Sequence, residues 1–151
     1  MIFIVRHAHA GSRSAWEEQD DARPLSDRGN RQAKLLAERL AAAGATAVVS
    51  SPYLRCVQTV EPLAALLGVP IETTDGLAEG AGSLEAADIV ADAPAGTVLC
   101  SHGDVLQDLV WRLAAMNAPV DPRLPFQKAG LLLLSREGSS ITGASYEPPP
   151  A

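Results

Sequence analysis

The sequence lacks several features that would place it in a broad class of protein. Its 12 lysines and arginines are outnumbered by 18 aspartates and glutamates, and a net charge of −6 argues against a general nucleic-acid-binding protein. No apolar stretch approaches the ~20 residues that a membrane span needs, and the amino terminus does not resemble a signal peptide. Two cysteines, Cys56 and Cys100, are too few for a disulfide framework. We therefore expect a cytoplasmic protein with free thiols and no membrane partner.

The 151 residues predict a single domain, because they are enough for a hydrophobic core and contain no internal repeat or long linker. We expect this domain to span residues 1–146. The last five residues, 147–151, include three consecutive prolines and predict a disordered or extended tail.

Apolar runs and helical periodicities alternate along the chain and predict an α/β fold. The predicted strands cover residues 2–5, 46–50, 69–73 and 97–101, and a helix-like segment follows each of them. Two further strand-like runs, 129–134 and 140–146, flank a turn and predict a hairpin. This order predicts a three-layer α/β/α sandwich whose mainly parallel sheet ends in an antiparallel C-terminal hairpin. On the last helix we expect Trp111 and Leu113 to belong to the core.

Cationic and imidazole side chains follow three of the predicted strands, at the point where each strand ends. Arg6 and His7 follow the first strand, Arg55 lies in the helix after the second, and His102 and Gly103 follow the fourth. The carboxyl ends of parallel strands meet at one edge of a sheet, where α/β proteins bind ligands. We therefore expect these residues to converge.

The residue types at this edge suit phosphoryl transfer. Arginines bind phosphate oxygens through planar forks, and a helix that starts at Gly103 offers free backbone N–H groups. Glu79, on a glycine-rich loop after the third strand, adds a carboxylate. A histidine can attack phosphorus while a carboxyl group protonates the leaving group. Taken alone, Arg6 and His7 are equally consistent with a structural role, in which they cap the strand and face water.

Five short motifs occur in one order between residues 2 and about 145. They are Val5-Arg6-His7-Ala8, Arg23-Pro24-Leu25-Ser26 (with Gly29 and Gln32-Ala33), Ser51-Pro52-Tyr53-Leu54-Arg55 (with Gln58-Thr59), Leu77-Ala78-Glu79 and Ser101-His102-Gly103. Together they resemble the histidine phosphatase superfamily, which includes cofactor-dependent phosphoglycerate mutases and histidine acid phosphatases. The Arg-His-Ala-x-Ala-Gly and Arg-Pro-Leu forms are most similar to SixA-type phosphohistidine phosphatases, and also resemble the phosphatase domain fused behind some Nudix hydrolases.

The resemblance implies a role for each matching residue. His7 would be the nucleophile that carries the phosphoryl group, and Arg6, Arg55 and His102 would hold its oxygens. Glu79 would be the proton donor. Some SixA-type members lack this acid, so the resemblance leaves the role of Glu79 open.

Further candidates for binding the substrate are the hydroxyl of Ser12 and the backbone N–H of Gly103. A zinc site built on the His-x-His pair, His7 and His9, together with His102 is an alternative. It is disfavoured because Arg6 would repel a cation and no carboxylate or cysteine lies at ligand spacing. We expect neither a metal nor a cofactor.

The expected partner is a phosphorylated small molecule or a phosphohistidine protein, hydrolysed through a covalent phosphohistidine. One alternative is a non-catalytic phospho-ligand-binding module, but binding alone needs neither a nucleophile nor an acid. Another is a mutase of phosphorylated sugar acids, which needs insertions for which the chain has little room. The loops 12–21 and 75–83 control access to the site, and neither has a pattern that identifies the substrate.

Overall fold

The computed structural model describes residues 1–150 and contains a six-stranded sheet with helices on both faces. The strands are β1 (Ile2–Arg6), β2 (Ala47–Ser50), β3 (Ile71–Thr73), β4 (Thr97–Ser101), β5 (Leu131–Glu137) and β6 (Ser140–Glu147). The helices are α1 (Asp27–Ala42), α2 (Leu54–Leu67), α3 (Leu84–Asp92) and α4 (Gly103–Ala115). None of these helices is long and apolar enough to cross a membrane.

The strand order in the sheet is β3-β2-β4-β1-β5-β6. The first four strands are parallel to one another, β5 pairs antiparallel with β1, and β6 pairs antiparallel with β5. The predicted three-layer sandwich with an antiparallel C-terminal hairpin is therefore confirmed. Because Arg6 lies opposite Ser101 in the β1–β4 register, the chain segments that leave these two strands start side by side.

Side chains of β1 alternate between two cores. Phe3 and Val5 pack with α1 and α2 on one face of the sheet, and Ile2 and Ile4 pack with α3 and α4 on the other. The prediction that Trp111 belongs to the core is wrong, since it is 59% exposed. The buried residues of α4 form one stripe centred on Leu109, and Trp111 lies roughly 200° further round the helix.

The start of β5 is fixed by the end of β1. The backbone N–H of Ala129 donates to the carbonyl oxygens of both Arg6 and His7, at 3.1 Å each. Ala129 has a φ of 63°, a left-handed conformation that is uncommon for a residue with a side chain. This bend delays the strand predicted from residue 129, so that it begins at Leu131, and it anchors the segment that carries His7.

The C-terminal strand reaches one residue past the domain end predicted at residue 146. Glu147 is the last residue of β6 and lies opposite Leu131. Its carboxylate accepts hydrogen bonds from Arg39 on α1 at 2.9 and 2.5 Å. Residues 148–150 have no regular secondary structure, and Ala151, the last residue of the expected tail, lies outside the described residues.

Candidate active site

A cavity of about 460 Å³ lies at the carboxyl edge of the sheet, where β1 and β4 end. The end of β1, the start of α4, the loop from residue 11 to 23, the loop after β3 and the segment before β5 all contribute to its wall. Its charged lining consists of the cations Arg6, Arg13, Arg23 and Lys128 and of the carboxylates Glu79 and Asp104. An acidic protein thus contains a local excess of positive side chains at the predicted edge.

His7 directly follows β1 and is 5% exposed. Its Nδ1 bonds the carbonyl oxygen of Ala8 at 2.9 Å, so this nitrogen is the donor and Nε2 keeps its lone pair. Burial lowers the pKa of His7 to about 3; the bond to Ala8 opposes this, while the charges of Arg55, His102 and Arg6 add to it. The imidazole is therefore uncharged at neutral pH, as a nucleophile must be.

The turn after His7 is attached to α2. The backbone N–H of Ala8 donates to Oγ1 of Thr59 at 2.9 Å, and that hydroxyl donates to the carbonyl oxygen of Arg55 at 2.6 Å. One threonine side chain therefore joins the segment of the predicted nucleophile to the helix turn of a predicted phosphate-binding arginine.

Arg55 lies in the first turn of α2 and is completely buried. Its Nη1 donates to the carbonyl oxygen of Asp20 at 2.8 Å, and its Nη2 lies 3.1 Å from Oδ2 of Asp20 and 3.5 Å from Oε1 of Glu79. The guanidinium also lies 4.9 Å from the ring centre of Tyr53. These contacts engage both amino groups and fix the orientation of the guanidinium.

Arg6 is held at the start of α4. Its Nη1 donates to the carbonyl oxygen of Phe126 at 2.7 Å, and its guanidinium lies against the backbone of Gly103, on the side where a side chain would project. Burial lowers the pKa of Arg6, and the charges of Tyr146 and Asp104 partly offset this. An arginine nevertheless stays protonated in a protein, so the cavity keeps this cation.

His102 precedes α4 and is 1% exposed. Its Nε2 bonds the hydroxyl of Ser51 at 2.8 Å. The ring centre lies 5.5 Å from that of His7 and 4.6 Å from that of Tyr53. The two imidazoles predicted to share a site are therefore neighbours.

Three buried side-chain nitrogens in this region have no hydrogen-bond partner within the protein: Nε of Arg6, Nε of Arg55 and Nδ1 of His102. Across residues 1–150 they are the only buried side-chain nitrogen or oxygen atoms in this condition. Folded proteins pair the great majority of such groups, and an unpaired one costs about 1–3 kcal/mol. Because the arginine nitrogens can only donate, the group that fits them is an anion with several acceptor oxygens.

Carboxylates and arginines alternate around the outer part of the cavity. Oε1 of Glu79 accepts a hydrogen bond from Arg13 at 2.5 Å, in addition to its contact with Arg55. Asp20 lies 3.1 Å from Arg23 and 3.4 Å from Arg13 and also contacts Arg55. Burial alone would raise the pKa of Asp20, but its hydrogen bonds to Arg23 and Arg55 and the nearby charges lower it. These side chains form one connected ionic network.

The structure brings together all but one of the predicted site residues. Arg6, His7, Glu79 and Gly103 line the cavity, and Arg55 and His102 contact or adjoin these residues. Ser12 is exposed, and its hydroxyl bonds that of Ser14 at 2.8 Å. Gly11, with a φ of 66°, turns the chain so that the side chain of Arg13 lines the cavity, whereas Ser12 faces a separate surface depression.

Several contributing residues were not assigned to the site from the sequence. Ser51 and Thr59 belong to one of the five sequence motifs, which marks them as candidates. The motif does not predict that they hydrogen-bond His102 and the backbone of Ala8. Arg13, Asp20 and Lys128 lie in segments without periodicity, and no signal marks them. Across residues 1–150, no group of three or more His, Cys, Asp or Glu side chains is placed to hold a metal ion.

Comparison with known proteins is consistent with this geometry. The model of the histidine phosphatase superfamily (branch 1) matches residues 2–87. The chain is 34% identical over 158 residues to an 8-oxo-(d)GTP phosphatase of Mycolicibacterium smegmatis; the match covers 99% of this chain and 48% of that protein, so the chain spans about half the relative's length.

Solved structures with the same fold include the protein histidine phosphatase SixA in complex with tungstate. The TM-score is 0.75 at 23% identity, with 95% of this chain and 94% of that chain covered. A mycobacterial glucosyl-3-phosphoglycerate phosphatase in complex with VO3 is similar with a TM-score of 0.69 at 19% identity, covering 97% and 96% of the two chains.

Proposed function

Because the chain belongs to the histidine phosphatase superfamily (branch 1), we propose that it is a phosphatase that forms a covalent phosphohistidine on His7. The three buried nitrogens without a protein partner carry this proposal. They belong to Arg6, Arg55 and His102, which converge around the imidazole of His7. A phosphoryl group supplies acceptor oxygens for all three.

In the first step, the Nε2 lone pair of His7 forms a bond to phosphorus, and the bond from phosphorus to the leaving group breaks, with its electron pair staying on the leaving group. The Nδ1–H bond to Ala8 fixes the ring and its tautomer, and the lowered pKa keeps the ring uncharged. Negative charge on the equatorial oxygens of the transferred group is stabilised by the Nε groups of Arg6 and Arg55 and by Nδ1 of His102. Fixed donors of this kind contribute most when they are oriented before the reaction.

Glu79 is the candidate that handles the proton of the leaving group. An alkoxide leaving group needs a proton in the transition state, and the carboxyl group of Glu79 lines the cavity. In the second step, water attacks the phosphorylated His7, the N–P bond breaks and inorganic phosphate leaves. The arginines supply the positive charge that a metal ion provides in other phosphatases.

The substrate that we propose is a phosphohistidine protein or a phosphorylated small molecule. The relatives' names mention a phosphohistidine phosphatase, a nucleotide phosphatase and a sugar-acid phosphatase. Their substrates share only the phosphoryl group, which is the part that the buried donors would hold. Release to water is favoured over transfer back to the substrate because residues 1–150 contain no large insertion between the elements that surround the cavity.

The test is to trap the phosphoenzyme. With a labelled aryl phosphate and a rapid quench, we expect acid-labile label on His7 of the wild type. His7→Ala should lose both label and turnover, by more than ~10³-fold in rate. His9→Ala is the matched control, because its ring bonds Ser26 instead of lining the cavity. Label on a serine, or turnover that survives in His7→Ala, would exclude the covalent mechanism.

A further inference from the structure

Lys128 stands apart from the other cations of the cavity. It lines the wall from the segment before β5, and within residues 1–150 no carboxylate forms a salt bridge with it. Arg13 and Arg23, by contrast, both contact Asp20. Burial lowers the pKa of Lys128, and the charges of Arg6, Arg23, Arg55 and Arg13 lower it further. Lys128 therefore shares the cavity wall with three arginines and forms no salt bridge, although the carboxylates of Glu79 and Asp104 also line the cavity.

The buried donors around His7 do not account for these additional cations. Arg6, Arg55 and His102 already provide three donors for the oxygens of one transferred phosphoryl group. Arg13, Arg23 and Lys128 line the same cavity. A volume of about 460 Å³ lies in the range of small-molecule sites, which run from roughly 300 to 1,000 Å³. The cavity thus has room and charge for a second anionic group.

We propose that the substrate is a phosphoanhydride, an organic diphosphate whose second phosphate is bound by Lys128 and Arg13. This inference rests on the proposed function, because it assigns the leaving group of the reaction on His7. Arg23 contributes positive charge behind this second position while it holds Asp20 and the carbonyl oxygen of Ala10.

The reaction follows from this placement. The Nε2 lone pair of His7 forms a bond to the terminal phosphorus, and the bond from that phosphorus to the bridging oxygen breaks. The electron pair stays on the bridging oxygen, which leaves as part of the organic monophosphate. Water then attacks the phosphorylated His7, the N–P electron pair returns to Nε2, and the protons of the water remain with the released inorganic phosphate and solvent.

A phosphate leaving group, unlike an alkoxide, does not depend on a proton from Glu79. Arg13 and Arg55 both contact Oε1 of this residue in the absence of a substrate. A departing phosphate carries negative charge that Lys128 and Arg13 stabilise without a proton. The imidazole that leaves phosphohistidine is neutral or positive, and gains no stabilisation from these cations.

Two lysines make a matched test possible, because Lys34 on α1 is exposed and lies outside the cavity. The wild type, Lys128→Ala, Lys128→Arg and Lys34→Ala are assayed with adenosine diphosphate, phenyl phosphate and phosphoimidazole. Lys128→Ala should lower the ratio of kcat/KM for adenosine diphosphate over phenyl phosphate by about 10–100-fold, the range for a hydrogen bond to a charged group. Lys128→Arg should largely restore the ratio, and Lys34→Ala should not change it.

The outcomes separate this inference from the function on which it rests. A wild type that forms labelled His7 with phenyl phosphate or phosphoimidazole, but hydrolyses adenosine diphosphate no better, overturns the phosphoanhydride assignment and leaves the phosphatase intact. Equal losses on all three substrates in Lys128→Ala overturn it as well, since the lysine would then attract anions in general. Absence of label on His7 with every substrate overturns the proposed function itself.

Discussion

The inner and outer parts of the cavity are built differently. The inner part, which we term the base, consists of Arg6 and His7, which line the cavity, and of Arg55 and His102, which lie behind them. These side chains are at least half buried, and three of them present nitrogens without protein partners. The outer part, which we term the rim, consists of Arg13, Glu79 and Lys128, which line the cavity, and of Asp20, which contacts Arg13. Side chains of Arg13 and Glu79 are 60% and 30% exposed, and the paired members of the rim bond mainly to charged side chains.

This difference separates two tasks. The base is held by hydrogen bonds to backbone carbonyls and to buried hydroxyls, so its donors keep one orientation. The rim depends on partly exposed ion pairs, each typically worth only 0–1 kcal/mol, so its partners can exchange when an anion arrives. In the proposed reaction, the base binds the group that is transferred, and the rim contacts the leaving group.

Among the substitutions that test the difference between base and rim, we expect the largest effect on activity at Glu79 in the rim. Glu79→Gln should reduce hydrolysis of alkyl phosphates by about 10²–10⁴-fold, the range for a lost general acid. Activated aryl phosphates and phosphoimidazole should change little, because their leaving groups need no proton. Steady-state kinetics on one ester of each class measures this, with the exposed Glu18→Gln as a control. A small and uniform effect would reduce Glu79 to a partner of Arg13.

The effect of a substitution in the base on kcat/KM should not depend on the leaving group of the substrate. Arg55→Ala should lower kcat/KM by about 10²–10³-fold on every substrate, because a donor to the transferred oxygens is lost. It should also weaken vanadate binding in a titration. Arg39→Ala, which removes an ion-paired arginine on α1, is the control, and a thermal melt checks that the variants are folded. Wild-type affinity of Arg55→Ala for vanadate would break the distinction between base and rim.

The last and smallest expectation is that His7 does not titrate between pH 5 and 8. Since the folded protein holds the pKa of His7 at about 3, below the ordinary 6.5, its ring resonances should not shift between pH 5 and 8. The unfolded chain takes up this proton below about pH 6.5. The free energy of unfolding should therefore be independent of His7 above that pH, and should fall as the pH drops from 6.5 towards 3. An NMR titration with a midpoint near 6.5 would show that the base is open to solvent.

The fold and the base could be predicted from the sequence because both follow from local patterns. Apolar runs gave the strands, and the residues after the runs had to meet at one edge of a parallel sheet. Of the rim, only Glu79 could be predicted in this way, from its place on the loop after the third strand. Arg13 rather than Ser12 lines the cavity after the backbone turn at Gly11, and Lys128 lines it next to the left-handed residue Ala129. Such conformations leave no periodicity in the sequence.

Trp111 is a different case, because its position was within reach of pattern analysis. The apolar stripe of α4 runs through Val105, Leu109 and Leu113, and a tryptophan two residues after Leu109 falls on the opposite face. The position of a side chain around the helix, rather than its hydrophobicity, determines whether it is buried here. In an alanine scan of α4, substitutions in the buried stripe should therefore lower the free energy of unfolding more than substitutions on the exposed face.

The contact between Arg6 and Gly103 limits which sequences can share this site. A methyl group at position 103 would lie 2.7 Å from Cζ of Arg6, closer than real side-chain carbons approach such an atom. Any larger residue there would displace the guanidinium although every charged group remained in the chain. A diversified library built on this scaffold would thus find position 103 invariant among active clones, for a steric reason that no inventory of charges would reveal.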